Sequence, residues 1–146
     1  MLKLSSKGRY AVRIMIFLAV REEDTPARKQ DIADSEQISA DYVEQILIRL
    51  RAGGLVISHR GARGGFTISR DAKLISVMDV LVATEGPLQL APCCEHACDR
   101  SICCAAQQVW DEAAASLRDV FGRTMIADLA DKARKTKSGV PLGYSI

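Results

Sequence analysis

The spacing of hydrophobic positions changes along the chain, and each change marks an element. Ser5 or Ser6 offers an N-cap for a helix carrying Tyr10, Val12, Ile14, Met15, Phe17 and Leu18. That helix is apolar on nearly every face and so belongs at the centre of the core. The acidic run Glu22-Glu23-Asp24 closes it. Thr25 followed by Pro26 is a helix-start signal, a capping hydroxyl and then a proline at the first helical position, which predicts a short second helix to about Ser35. After a turn near Gln37-Ile38, Ser39 caps a third helix. Its Val43, Ile46, Leu47 and Leu50 follow at spacings of three, one and three, a single helical face that Gly53-Gly54 ends.

The period then shortens. Residues 55–60 and 65–70 are β-prone runs joined by Gly61-Ala-Arg-Gly64, the pattern of a hairpin. Two strands cannot enclose a core, so the hairpin must lie against the helices. Ser76 leads a fourth helix through Val77, Val80 and Leu81 to Gly86-Pro87. Beyond a cysteine-rich segment the helical pattern resumes to about Ala133. Trp110, Ala113, Ala114, Leu117, Val120, Phe121 and Met125 lie near one stripe there, with Gly122 as a point of bending. The last dozen residues read as a tail. The expected architecture is mainly α with a small β-hairpin, in one globular unit of 146 residues, 48% hydrophobic and 26% charged. The longest apolar run, Ala11 to Val20, contains Arg13 and is too short to cross a bilayer. No secretory signal is legible at the N-terminus, so a cytoplasmic location is expected.

Charge sharpens this picture. Residues 1–70 hold 12 Lys+Arg against 8 Asp+Glu, and residues 71–146 hold 8 against 10. The basic excess is confined to two acid-free stretches, one with Lys3, Lys7, Arg9, Arg13 and Arg21, the other with Arg49, Arg51, Arg60, Arg63 and Arg70. A short helix, a turn, an amphipathic helix and a basic glycine-rich hairpin, in that order, make a winged helix-turn-helix. Double-stranded DNA is therefore the expected partner. Ser39, Ala40, Asp41, Tyr42, Glu44 and Gln45 open the recognition helix, where amide and carboxylate groups can read base edges. Arg49 and Arg51, and on the wing Arg60 and Arg63, suit phosphates or a groove, with Lys7 and Arg9 as further cations.

All five cysteines, Cys93, Cys94, Cys98, Cys103 and Cys104, fall within twelve residues. In a reducing compartment such clustering points to metal rather than to structural disulfides. No Cys-x2-Cys pair of the zinc type is present, and iron–sulfur clusters accept wider spacing and prefer thiolates. Cys93, Cys98 and Cys104 are the expected ligands, with Cys94, Cys103 and His96 as alternates. Both 2Fe-2S and 4Fe-4S types stay open, and so does a group of redox-reactive thiols with no metal.

The stretch Leu4-Ser-Ser-Lys-Gly-Arg-Tyr-Ala-Val, the run Ile38-Ser-x-x-Tyr-x-Glu-Gln-Ile, Arg49-Leu-Arg-x-x-Gly-Leu, the wing Arg60-Gly-Ala-Arg-Gly-Gly-Phe, and three spaced cysteines before Trp110 together resemble the IscR/NsrR (Rrf) family of bacterial transcription regulators. The resemblance covers residues 2 to about 130. It implies a winged-helix homodimer with a long C-terminal dimerisation helix, binding a palindromic operator and holding an iron–sulfur cluster in the loop before that helix. The corresponding divisions are residues 1–88 for DNA binding, 89–104 for the cluster loop, 105–134 for the dimerisation helix and 135–146 for a flexible tail. Family spacing is kept between Cys98 and Cys104, whereas the first ligand position would fall on Pro92, so Cys93 or Cys94 takes its place. Where the cluster-assembly regulator has a ligand histidine this chain has Gln107, and where the nitric-oxide sensor has an aspartate it has Gly8.

The function expected is a dimeric DNA-binding regulator whose operator affinity depends on the cluster, with neither a membrane nor a small-molecule substrate as partner. His59 and His96, the only histidines, form no nucleophile and base pair, so an enzyme is not expected. The rival classes are a cluster-free thiol redox sensor of the same fold and a protein-interaction partner in cluster assembly.

Overall fold

A computed structural model describes residues 3–21, 25–91 and 104–137. The first helix, α1 (Ser6–Val20), is capped by Ser5, whose Oγ accepts from the Gly8 N–H at 3.1 Å. Its Ala11, Ile14, Met15 and Leu18 are buried, and the helix packs against α2 (Lys29–Glu36), α3 (Ala40–Ala52), α4 (Val77–Glu85) and α6 (Ile126–Lys137). Its central place is the one its apolar pattern predicts.

The second helix starts later than Thr25-Pro26 suggests. Ala27 is extended and pairs with Phe66 on the hairpin: the Ala27 N–H donates to the Phe66 carbonyl at 3.0 Å, and the Phe66 N–H to the Ala27 carbonyl at 2.8 Å. The backbone groups around Pro26 are thus engaged by a strand and not by a helix turn. The working start signal is Asp31, whose carboxylate accepts from the Arg28 N–H at 3.0 Å ahead of Lys29. After α2, Gln37 turns the chain through the left-handed region (φ 56°) and Ser39 caps α3 by accepting from the Tyr42 N–H at 3.2 Å. Val43, Ile46, Leu47 and Leu50 form the buried face of α3, as their spacing requires.

Strands β1 (Val56–His59) and β2 (Gly65–Ile68) pair antiparallel, Val56 opposite Ile68 and His59 opposite Gly65. A side chain at Gly64 would stand 2.3 Å from the His59 carbonyl oxygen, and one at Gly65 would stand 2.5 Å from that of Ala27, so the tip and the third-strand contact need both glycines. A short 3-10 turn, Ala72–Leu74, leads to α4, capped reciprocally by Ser76 and Asp79.

The long helix expected over 105–134 is two helices, α5 (Ala105–Arg123) and α6. The break lies at Thr124-Met125 and not at Gly122. The Val77 N–H donates to the Thr124 carbonyl at 2.9 Å and the Ile126 N–H to the Ile75 carbonyl at 2.8 Å, so pairing across Ser76 and Met125 ends α5. Ile126 and Ala130 then bury α6 against the core, and Arg134 donates to the Ala19 carbonyl at 2.8 Å, satisfying the open end of α1. Residues 135–137, expected in a tail, belong to α6.

Candidate nucleic-acid interface

Because α3 buries one face, its other face is free. Asp41, Glu44, Gln45, Ile48, Arg49 and Arg51 are all exposed there. Three residues expected at the recognition surface have other partners within the fold. Ser39 serves as the cap, Ala40 is half-buried, and Tyr42 meets the Tyr10 ring edge-on, with centroids 6.0 Å apart and planes at 84°. The Glu44 carboxylate is held by the Lys29 ammonium at 2.6 Å, an exposed ion pair linking the two helices of the motif. The hydrogen bond to Glu44, then its charge, raise the Lys29 pKa above the ordinary lysine value, with Asp41 adding to the same effect.

The wing stands beside this surface. The Arg51 guanidinium donates to Ser58 Oγ at 3.3 Å, joining the end of α3 to β1. Arg28, at the start of α2, donates to the Ala62 carbonyl at 3.0 Å and so anchors the wing tip. Arg60 and Arg63 are exposed at that tip. Arg28 thus lines one pocket with Arg63 of the wing, and Lys29 lies between Glu44 and Asp41 of α3, while Gln45, Arg49 and Arg60 are exposed on α3 and the wing. Lys7 stands 3.8 Å from Glu85 of α4, and Arg9 lines a groove beside α5. Helix caps and hydrophobic periods in the sequence do not mark Arg28, Lys29 or Ile48. The basic pair was the available signal for the first two, and its position at a helix start was hidden by Pro26.

Cys104 is exposed and directly precedes α5. Cys93, Cys94, His96, Cys98 and Cys103 lie outside the described residues. Among the described residues no three histidine, cysteine or acidic side chains gather as a metal site. Gly8 is buried, and a side chain there would stand 3.1 Å from Leu81, so tight helix packing accounts for glycine at this position.

The sequence profile of the Rrf2 family, described as an iron-dependent transcriptional regulator, matches residues 4–132. The chain belongs to the Rrf2 family. This Rrf2 chain is 32% identical over 131 residues to the HTH-type transcriptional regulator IscR of Yersinia enterocolitica, spanning 89% of this chain and 80% of that protein. Among solved structures it is similar to T. potens IscR (TM-score 0.77, 31% identity, 98% of this chain and 95% of that one). It is also similar to Staphylococcus aureus CymR in an oxidized form (TM-score 0.72, 33% identity, 88% and 96%). The winged helix-turn-helix architecture read from element order is the fold of these relatives, and the Rrf2 chain is a transcriptional regulator, not an enzyme. No helix among its described residues is long and apolar enough to cross a membrane.

Proposed function

We propose that this Rrf2 chain is a homodimeric, cytoplasmic regulator that binds a palindromic operator through α3 and the wing, with an affinity set by an iron–sulfur cluster. The observation that carries the DNA reading is the exposed face of α3, fixed beside the arginine-bearing wing by Arg28 and Arg51. In this reading Gln45 and Asp41 meet base edges, and Arg49, Arg60 and Arg63 meet phosphates. Two protomers are required because one recognition helix reads only a short site. Support for a second copy comes from α5, where Val109 is 55% exposed and Trp110 and Val120 are each 43% exposed. An apolar groove of about 410 Å³ beside Val120 is lined by Leu4, Val12, Val77, Leu81 and Phe121.

Cys93, Cys98 and Cys104 would hold the cluster, with Cys94, Cys103 or His96 as alternates and the missing fourth ligand drawn from the same group. This donor set fits, since it is thiolate-rich and ends at the exposed Cys104 before α5. A bound cluster would supply a group sensitive to redox state, iron supply or nitric oxide. Protein purified without oxygen should absorb visible light and lose that absorbance in Cys98→Ala or Cys104→Ala while remaining folded. It should also bind duplex DNA with an affinity that falls as salt rises. Colourless wild type after reconstitution with iron and sulfide rejects the cluster, and salt-independent affinity rejects DNA as the partner.

A second reading, a thiol sensor of the same fold without metal, is favoured by the five adjacent thiols and by likeness to CymR, solved in an oxidized form. A colourless protein whose DNA affinity changes on thiol oxidation would select it.

A further inference from the structure

Ile48 is out of place on α3. The other large apolar residues of the helix, Val43, Ile46, Leu47 and Leu50, are at most 1% exposed, whereas Ile48 is 54% exposed. At about 100° per residue, the direction opposite that buried face falls on Asp41, Gln45, Ile48 and Ala52, all within about 30° of its centre. Exposed neighbours ring it: Glu44 and Arg51 on one side, Gln45 and Arg49 on the other. The Glu44 carboxylate is drawn to Lys29, and on the central line Ile48 and Ala52 make the C-terminal half apolar, after Asp41 and Gln45. Single exposed hydrophobic residues are ordinary on proteins. Leu74 and Ile57 are such residues, one in the 3-10 turn and one on β1, and neither stands on an exposed helix face bordered by arginines.

We infer that Ile48 reads the C5-methyl group of a thymine. This rests on the docking of α3 in the major groove proposed above. The outermost line of a helix so docked reaches deepest toward the base edges. An isoleucine there offers no hydrogen bond, and it would strip water from the polar edges of guanine, cytosine or adenine without replacing it. The thymine methyl is the one apolar group that the groove presents. Ile48 therefore favours an A·T pair with its thymine on the strand beneath the helix and disfavours G·C at that position, while Gln45 is free to pair with an adjacent adenine.

The test uses the full chain, purified without oxygen, and duplexes that it enriches from a random-sequence pool. Each thymine of the enriched site is replaced singly by deoxyuridine, which removes the methyl and keeps every hydrogen-bonding group. One thymine per bound protomer should then weaken wild-type binding about fourfold, the equivalent of one methyl group taken out of apolar contact. Ile48→Ala, an exposed change to a better helix former, should bind parent and deoxyuridine duplexes equally, with unchanged helical circular dichroism. If every deoxyuridine duplex affects wild type and Ile48→Ala alike, the inference fails while DNA reading by α3 stands. A wild type that enriches no sequence overturns the docking of α3 and this inference together.

Discussion

Helices α3 and α5 are both amphipathic, yet their apolar faces meet different fates. The 13 residues of α3 bury Val43, Ile46, Leu47 and Leu50 among α1, α2, α4 and β1. The 19 residues of α5 bury Ala114 alone and pack chiefly on α4, leaving Val109, Trp110 and Val120 exposed. Within its stripe only the C-terminal part, Phe121, joins the core of its own chain. An apolar stripe reveals that a helix needs cover, but not whether the cover comes from its own chain. For α3 the cover is internal, which leaves the opposite face exposed for the DNA contact proposed above. For α5 it is largely missing among the described residues, which is where the proposed second copy would fit.

The comparison breaks first at the core. Leu47→Ala should cost about 2–5 kcal/mol in urea unfolding, because Leu47 is 1% exposed and its removal leaves a cavity that its neighbours close only in part. If α3 tolerates this change at no cost, its cover is not internal. Leu117→Asp on α5 puts a carboxylate into the stripe and should weaken dimerisation by several kcal/mol. Light scattering should then report a folded monomer with lost operator affinity. An unfolded variant, or a wild type already monomeric, would place α5 with α3 among internally covered helices.

Smaller effects sharpen the free side of α3. Gly64→Ala forces a methyl toward the His59 carbonyl and should cost about 1–3 kcal/mol of stability as the wing tip strains. DNA affinity should fall with it, while the dimer persists. Gln45→Ala should cost roughly 1–3 kcal/mol on the cognate duplex and relax its sequence preference. Arg63→Ala should leave preference intact and lower the salt slope of binding by about one unit, as loss of one phosphate contact does. If these last two variants behave alike, base reading and phosphate contact are not divided between α3 and the wing.

Much of this arrangement is legible in local chemistry. Ser39 and Ser76 cap the helices they were expected to cap, the three-one-three spacing of α3 marks its buried face, and the glycines at 61, 64 and 65 mark the wing. These features depend on groups a few residues apart, so the sequence by itself determines them. The clustering of the five cysteines is a feature of the sequence alone, since four of them lie outside the described residues. The start of α2 and the end of α5 were decided by tertiary structure. Thr25-Pro26 and the stripe through Met125 both read as helix, and both are interrupted because distant backbone pairs with them, Phe66 with Ala27 and Ser76 with Met125. Hydrogen bonds to a strand or loop far along the chain compete with the helical ones, and no local period records that competition. The ion pair of Lys29 with Glu44 and the exposure of Ile48 share this origin, since each follows from how α2 and α3 are held against one another and against the core.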